Sequence, residues 1–341
     1  ANAGKRGITL DLGRPEGVAV FERLVASADL LVENYTPRVM EQFGLGWERL
    51  REVNPELIMV RMPAFGLSGP WRENTGFAQT MESITGMAWL TGFEDGPPVL
   101  VRGACDPLAG MHAVIAALLA LGHRDRHGGG HLVESVMVEA ALNAAAEQVI
   151  EHSVSGTVLG RQGNRGPSAA PQGVYPCAGT DRWLALAVAD DAQWDALRAV
   201  LGGPAWADDP RLGTAEGRRV AHDVIDDELR AWTKDRDAEE LADLLARAGV
   251  PAGVVIPSRD VVHNPQIRHR GLFEPERHPV TGDHDLPTLP FRFSRVPAWL
   301  RRPSPTLGEH NHEVLAELGL PADEIAALGA LGVIGDRPVG L

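Results

Sequence analysis

The first sixty residues alternate between short apolar runs and segments with helical spacing, and this alternation constrains the fold more than any other feature. The three strand-like runs are GITLDL (7–12), DLLVEN (29–34) and ELIMVRM (56–62). Pro15 and Pro37 stand between them, where helices would begin. Strands that alternate with helices pair in parallel through right-handed crossovers. The pattern therefore predicts an α/β fold with its ligand site at the carboxyl ends of the strands, in the loops after Leu12, Asn34 and Pro63.

The later elements divide at residues 160–173, a segment rich in Gly and Pro that is the clearest linker in the chain. Before it, we predict helices over 77–90, 107–121 and 138–152 and a strand over 131–137. After it, we predict a smaller α+β region with a hairpin near 183–189, acidic helices at 190–201, 217–232 and 237–248, and a strand at 252–257. Asp237 is followed three residues later by Glu240, which is capping-box spacing for the last of these helices.

Composition and charge exclude several classes of protein. A net charge of −14 disfavours nucleic acid or an anionic membrane as a partner. The longest apolar stretch, near 113–121, is shorter than a bilayer requires, and nothing resembles a signal peptide. Cys105 and Cys177 are the only cysteines and form no CxxC pair. This usage argues against a disulfide framework and fits a reducing cytosol, so we expect a cytoplasmic protein.

Nucleotide-binding and metal-binding motifs are missing from the sequence. No GxGxxG follows a strand, and neither a P-loop nor a GxSxG elbow occurs. His123, His127 and His131 are spaced four apart, but the three glycines at 128–130 are expected to break a helix between them. We therefore predict polar loop histidines here and no metal site.

An acidic residue, Asp106, stands where the helix over 107–121 begins, directly before a proline. Asp is a favoured N-cap and Pro a favoured first helical residue, so a helix cap alone would explain the pair. A carboxylate in this position could instead be a nucleophile. Lys5, Arg38 and Arg72 lie at turns near the predicted sheet edge, where a few cations could hold a polyphosphate, although ordinary surface residues have the same spacing.

A succession of motifs resembles the class III CoA-transferase family, to which formyl-CoA:oxalate and carnitine CoA-transferases belong. In the first half of the chain the motifs are KRGITLDL, ADLLVENYTPRVMEQFGLGWERLREVNPELI, FGLSGP, LTGFEDGPP, DPLAGMHAVIAALLAL and GNRGPSAAPQGVYPC. Later ones are DDAQWDALRAVLGGPAWADDPRLGTAEGR, AGVPAG and PTLGEHNHEVLAELGL. They occur in the expected order and cover essentially the whole chain, although about seventy residues of the family's amino-terminal region, including a βα unit, have no counterpart here.

The resemblance implies a large Rossmann-like parallel-sheet domain built from both chain ends, a smaller α+β domain, and an interlocked dimer. Transferred to this sequence, the large CoA-binding domain comprises residues 1–140 together with the C-terminal residues 306–341, and the small domain comprises 166–270. Residues 141–165 and 271–305 would then be linkers.

The resemblance also implies site residues, of which the nucleophile would be Asp106. The CoA contacts carried over by position are Lys5, Asn34, Tyr35, Pro37 and Met137. A basic residue of some members falls on Gln42, and we expect Arg38 to replace it, with Arg72 as a further cation. The family's glycine-rich loop falls on Gly163–Gly166, where this chain has GNRG, so lid behaviour there is left open.

The family chemistry would use acyl-CoA and a small carboxylic acid as substrates and no metal. The carboxylate would attack the thioester to give an aspartyl anhydride, and CoA would then form an aspartyl thioester. Two alternatives stay open. One is an α-methylacyl-CoA racemase, although the His that this chemistry pairs with the acid is missing, because no His precedes His112. The other is a non-catalytic half of a fused CoA-transferase.

Overall fold

The computed structural model describes residues 2–338. The strands are β1 (Leu30–Glu33), β2 (Ile58–Arg61), β3 (His131–Glu134), β4 (Gln172–Pro176), β5 (Trp183–Ala187), β6 (Ala252–Val255), β7 (Phe273–His278) and β8 (Gly282–Pro287). The helices are α1 (Pro15–Ala26), α2 (Pro37–Gln42), α3 (Trp47–Val53), α4 (Ala78–Ile84), α5 (Met87–Leu90), α6 (Cys105–His127), α7 (Met137–Ala144), α8 (Ala146–Ser155), α9 (Asp191–Leu201), α10 (Ala215–Val220), α11 (His222–Thr233), α12 (Ala238–Arg247), α13 (Ser258–Val261), α14 (Pro265–Arg270), α15 (Asn311–Glu317) and α16 (Ala322–Ala330).

The chain forms two compact units. The described residues of the larger unit fall within Ala1–Leu90, Val99–Leu159 and Gly271–Leu341, and the smaller unit comprises Thr91–Pro98 and Gly160–Arg270. Both segments that we predicted as linkers contain regular structure, because α8 lies in 141–165 and the β7–β8 hairpin lies in 271–305.

The larger unit is built on a parallel sheet with the order β1-β2-β3, as the strand–helix alternation predicts. All four residues of the central strand β2 are buried. Side chains of successive strand residues point to opposite faces of a sheet. Ile58 and Val60 accordingly pack in one apolar cluster with the alanines of α6, while Met59 packs in another with Val25 and Leu50. The sheet is thus covered by helices on both faces.

The run 7–12 is not a strand, which corrects the first prediction. Its backbone donors are bonded by the far end of the chain: the N–H of Gly7 donates to Nδ1 of His310 at 3.1 Å, and that of Thr9 to Oδ1 of Asn311 at 2.8 Å. The N–H of Asp11 donates to the carbonyl of Val333 at 2.9 Å. Partners about three hundred residues away satisfy this extended segment without a neighbouring strand.

Helix α6 differs from its predicted form in length and in its buried face. It runs to His127, and an alanine stripe that includes Ala109, Ala113 and Ala117 packs in the core. The larger apolar residues Leu118 and Leu119 are instead 62% and 71% exposed. By length and composition alone α6 could cross a membrane, a test that the core helix of a soluble protein also passes, whereas the sequence analysis measured only the uninterrupted apolar stretch near 113–121.

A second predicted helix, over 77–90, is two helices. Gly86 separates α4 from α5 with a φ of +83°, in the left-handed region where a glycine is favoured. The buried residues Met81 and Glu82 of α4 lie next to the start of α6.

The smaller unit is α+β, as predicted. Its antiparallel sheet has the order β4-β5-β6, and β4 and β5 form the expected hairpin. Helices α9, α11 and α12 supply Trp194, Leu229 and Leu241 to the apolar core. Asp237 caps α12 by accepting hydrogen bonds from the N–H groups of Glu239 and Glu240, both at 3.0 Å, which confirms the cap predicted from the sequence.

Candidate active site

Each strand of the parallel sheet ends in a charged residue, and the three lie in register. Glu33 pairs with Arg61, and Arg61 with Glu134. Nε of Arg61 donates to Oε1 of Glu33 at 2.6 Å, and both side chains are buried. A second guanidinium nitrogen of Arg61, Nη2, donates to the carbonyl of Pro37 at 2.9 Å. This ion pair fixes the turn after β1, and its one sequence signal was an arginine inside an otherwise apolar strand.

The turn after β1 and the start of α2 bring four of the predicted CoA contacts together. The second carboxylate oxygen of Glu33 accepts the N–H of Tyr35 at 2.8 Å, which shapes the turn. Asn34, Tyr35 and Arg38 are exposed, and Pro37 is buried as the first residue of α2. Arg38 makes no ion pair or side-chain hydrogen bond within residues 2–338, so its charge is available to a ligand.

Arg72 is engaged by the protein itself. Its Nη2 donates to Oε1 of Glu41 at 2.7 Å, its Nη1 bonds Glu73, and its Nε donates to the carbonyl of Leu67 at 2.9 Å. The Glu41 carboxylate raises the pKa of the Arg72 guanidinium. The structure thus brings Arg72 to α2, beside the turn after β1, but two carboxylates balance its charge.

The two remaining predicted contacts lie in different surroundings. Lys5 is exposed, and its Nζ donates to Oδ1 of Asn2 at 3.3 Å. Met137 is buried as the first residue of α7, and its N–H donates to the carbonyl of Pro63 at 3.1 Å, which ties it to the loop after β2.

Asp106 is the second residue of α6 and is not its cap, so the cap interpretation was wrong. The N-cap position is held by Ala104, which makes no side-chain cap bond. The Asp106 side chain is exposed, and across residues 2–338 its carboxylate accepts no hydrogen bond and joins no ion pair. A carboxylate at the positive end of a 23-residue helix, without a partner, is free to react.

Glu82 is a buried carboxylate beside Asp106 that the sequence did not single out. It is fully buried on α4, and its carboxylate accepts hydrogen bonds from the N–H groups of Arg102 at 3.2 Å and of Gly103 and Ala104, both at 2.7 Å. These three residues lead directly into α6. No local sequence pattern reveals this contact, because it depends on how α4 approaches a loop twenty residues away.

The thiol beside Asp106 is inert. Cys105 is fully buried, its Sγ lies 3.8 Å from the sulfur of Met81 and 3.5 Å from the carbonyl of Met137, and burial raises its pKa to about 11. The negative charges of Asp106 and Glu82 add to that shift. The thiol therefore stays protonated near neutral pH and is a poor nucleophile.

The three histidines lie together, contrary to the prediction of separate loop residues. The rings of His123 and His127 are 4.6 Å apart on α6, and Nε2 of His131 lies 2.9 Å from Nδ1 of His123. Burial lowers the pKa of His123. The part of the chain that the structure describes contains no group of three His, Cys, Asp or Glu side chains arranged to hold a metal. The cluster lies at the amino end of β3, opposite the edge that carries the site.

The smaller unit has a cavity of about 870 Å³ beside the GNRG loop. Nη2 of Arg165 in this loop donates at 2.6 Å to both Asp223 and Asp226, and the hydroxyl of Tyr175 donates to Asp226 at 2.7 Å. Gly163 has a φ of +60°, and a Cβ there would lie 2.6 Å from the ring of Phe93, so the position requires glycine. The loop is thus tied to α11 through Arg165.

Comparisons with known proteins identify the family of the chain. The family profile of CoA-transferase family III matches residues 1–311. A succinyl-CoA–D-citramalate CoA-transferase of Chloroflexus aurantiacus is 35% identical over 97% of this chain and 82% of its own length. A succinate–glutarate CoA-transferase of Agrobacterium fabrum is 35% identical over 93% and 79%. The crystal structure of a CAIB/BAIF family protein from Brucella suis superposes with a TM-score of 0.84 at 32% identity, covering 93% of this chain and 82% of that one.

Proposed function

The chain belongs to CoA-transferase family III and is a CoA-transferase, and we propose that the carboxylate of Asp106 is its nucleophile. The observation that carries this proposal is an exposed carboxylate in the first turn of a helix with no partner within residues 2–338. The carboxylate of a capping residue accepts hydrogen bonds from the N–H groups of its own helix, whereas the carboxylate of Asp106 accepts none within residues 2–338.

The proposed reaction begins when a carboxylate oxygen of Asp106 attacks the thioester carbonyl of an acyl-CoA. The C–S bond breaks, CoA leaves as a thiolate, and a mixed aspartyl anhydride remains. The thiolate then attacks the aspartyl carbonyl and releases the donor acid, which leaves an aspartyl-CoA thioester. The acceptor carboxylate attacks that thioester to form a second anhydride, and the thiolate finally takes the acceptor acyl group and restores Asp106.

The start of α6 supplies the electrostatics for these steps. The first N–H groups of a helix have no partner within the helix, and the third residue, Pro107, has no N–H. The N–H groups of Cys105 and Asp106 are the remaining donors of the turn. Aligned with the positive end of the helix dipole, they are placed to stabilise an oxyanion at the aspartyl carbonyl.

The turn after β1 is the proposed CoA site. Asn34, Tyr35 and Arg38 are exposed on it, and Pro37 and Met137 would line its buried side. We assign the phosphate contact to Arg38, whose charge is free, with Lys5 as a second cation. Arg72 would act mainly by holding α2 through Glu41, since its charge is already balanced.

The substrates proposed for this chain are CoA thioesters and free forms of small dicarboxylic acids. The two relatives at 35% identity are named for succinyl-CoA with D-citramalate and for succinate with glutarate. The test is incubation of the protein with succinyl-CoA and separate acceptor acids, with the products resolved by chromatography. Formation of the acceptor's CoA thioester in equal amount to released succinate supports the proposal. Hydrolysis alone, with no acceptor thioester for any acid, contradicts it.

The uncovered face of α6 supports a homodimer as the working form. The exposed apolar side chains along this face and α8 are Met111, Ile115, Leu118, Leu119, Ile150 and Val154. Exposed apolar side chains grouped along one face of a helix are typical of an interaction site. We propose that a second copy of the chain covers this face, because the opposite face of α6 already packs against β2 in the α/β core. We also propose a cytoplasmic location. Light scattering should show a dimer that Leu119→Glu dissociates and Val220→Glu, an equally exposed site in the smaller unit, does not.

A further inference from the structure

The buried carboxylate of Glu82 has an unusual set of partners. It is fully buried on α4, and no Lys, Arg or His side chain pairs with it within residues 2–338. Its charge is balanced by the N–H groups of Arg102, Gly103 and Ala104. Burying an ionised carboxylate is costly unless hydrogen bonds compensate for the lost water, so this arrangement requires the loop to stay in place.

The loop that Glu82 holds has a conformation that a free chain disfavours. Arg102 has a φ of +67° and Gly103 a φ of +100°, both in the left-handed region. Such a φ is uncommon for a residue other than glycine. Ala104 follows as the N-cap of α6 without any side-chain cap bond. The carboxylate of Glu82 therefore sets the path by which the chain enters the first turn of α6.

Glu82 bonds the chain just ahead of α6 and does not bond the first N–H groups of the helix itself. Elsewhere in the chain, Asp237 satisfies the first N–H groups of its helix with its own carboxylate. At α6 the carboxylate comes from another helix and bonds the N–H groups just before the turn. Asp106 is thus left with no hydrogen bond to its own helix.

We infer that Glu82 is a positioning residue for the reaction: by anchoring residues 102–104, it fixes the place and direction of the Asp106 carboxylate. This inference rests on the proposed role of Asp106. Glu82 does not touch substrate, and its effect is exerted through the loop. Both carboxylate oxygens are used, one by Gly103 and Ala104 and the other by Arg102, so a carboxylate fits better than an amide.

The test compares steady-state kinetics of Glu82→Met, Glu82→Gln and wild type with succinyl-CoA as donor. We expect Glu82→Met to lower kcat about 100-fold, since small misplacement of a reacting group has effects of this size. KM for the donor should change by less than about 3-fold, because the CoA contacts lie on another strand's turn. Glu82→Gln keeps an oxygen for Gly103 and Ala104 and should recover most of kcat.

The matched control is Glu274→Met. The carboxylate of Glu274 likewise anchors a loop, by accepting the N–H groups of Trp299 and Leu300 at 2.9 Å each, but it lies outside the site. Its kcat should equal that of wild type. A Glu82→Met enzyme with wild-type kcat, or one in which KM rises as much as kcat falls, overturns the inference.

A second variant decides the matter should Glu82→Met fail to fold. Gly103→Ala strains the backbone of the same loop, because its φ of +100° favours glycine. The added Cβ meets no atom within 4 Å, so the substitution introduces no steric clash. Gly129→Ala introduces comparable strain, at φ +83°, just beyond the other end of α6. We expect the first to lower kcat at constant KM and the second to leave kcat unchanged; equal kcat values overturn the inference.

Asp106→Asn, measured alongside, separates the two proposals. An inactive Asp106→Asn with a fully active Glu82→Met removes the role of Glu82 alone. A fully active Asp106→Asn removes the proposed nucleophile and the inference with it.

Discussion

Two exposed aspartates begin two helices of this protein, and only one of them is a cap. Asp237, ahead of α12 in the smaller unit, has extended backbone angles and bonds two N–H groups of its helix. Asp106 lies one residue inside α6 in the larger unit and bonds none. A side chain satisfies the first N–H groups only from the N-cap position, where the backbone is not yet helical. A shift of two residues in position thus separates an acid that caps its helix from one whose carboxylate accepts no hydrogen bond within residues 2–338.

The largest effect expected from this difference is on activity. Asp106→Asn should lower kcat for CoA transfer by at least about 1000-fold, because the amide is a poor nucleophile and the covalent route is lost. Asp237→Asn should retain wild-type kcat, since an amide oxygen still caps α12. Transfer from succinyl-CoA measures both, and circular dichroism verifies that both variants are folded. Comparable losses in the two variants would break the comparison.

The same pair should give the opposite order in stability. Asp237→Ala removes the cap of α12 and should cost about 1 kcal/mol of local unfolding free energy. Asp106→Ala removes no hydrogen bond and should change it by less than about 0.5 kcal/mol. Hydrogen exchange of the first-turn amides in each helix reports the two values. Destabilisation of α6 by Asp106→Ala would show that the carboxylate is a cap after all.

A third expectation concerns how the stability of the smaller unit depends on pH, through a buried side chain that is hydrogen-bonded, unlike Asp106. In the smaller unit, Nε2 of buried His222 accepts the N–H of Gln172 at 3.0 Å, and burial lowers the pKa of this imidazole. Because the folded pKa lies below the unfolded value of about 6.5, the stability contribution is present above about pH 6.5 and is lost as the pH falls from there through the lower, folded pKa. Amide exchange in β4, normalised for intrinsic rates, should rise below pH 6.5 in wild type and less so in His222→Gln. Equal slopes for both would contradict it.

The smallest effect should appear in thiol reactivity. Cys105 and Cys177 are both buried, and burial raises the pKa of each thiol. Neither should react with a disulfide reagent at pH 8 in the native protein, and both should react in denaturant. Rapid labelling of Cys105 alone would mean that the first turn of α6 opens, against the fixed geometry proposed for Asp106.

The sequence predicted what depends on neighbours along the chain. The strands over 29–34 and 56–62 were found because each is a local apolar run, and the cap at Asp237 because its motif is local. The run 7–12 was assigned wrongly because its partners are His310, Asn311 and Val333.

The buried face of α6 and the hydrogen bonds of Glu82 could not be predicted from the sequence, because both depend on tertiary packing. The alanines of α6 face the core while Leu118 and Leu119 face outward, which reverses the usual size rule and leaves apolar side chains exposed. Glu82 looked like an ordinary polar residue on an amphipathic helix. Its role follows from the tertiary approach of α4 to residues 102–104, which no spacing in the sequence encodes.

The most direct test of the central claim is to trap the covalent intermediate on Asp106. The protein is incubated with succinyl-CoA and hydroxylamine, digested, and the peptides are analysed by mass spectrometry; Asp125→Asn, at the other end of α6, is the matched control and should behave as wild type. The account predicts a hydroxamate at Asp106 that depends on the thioester and is lost in Asp106→Asn. Full CoA transfer with Asp106 unmodified, or a hydroxamate on another residue, would contradict it.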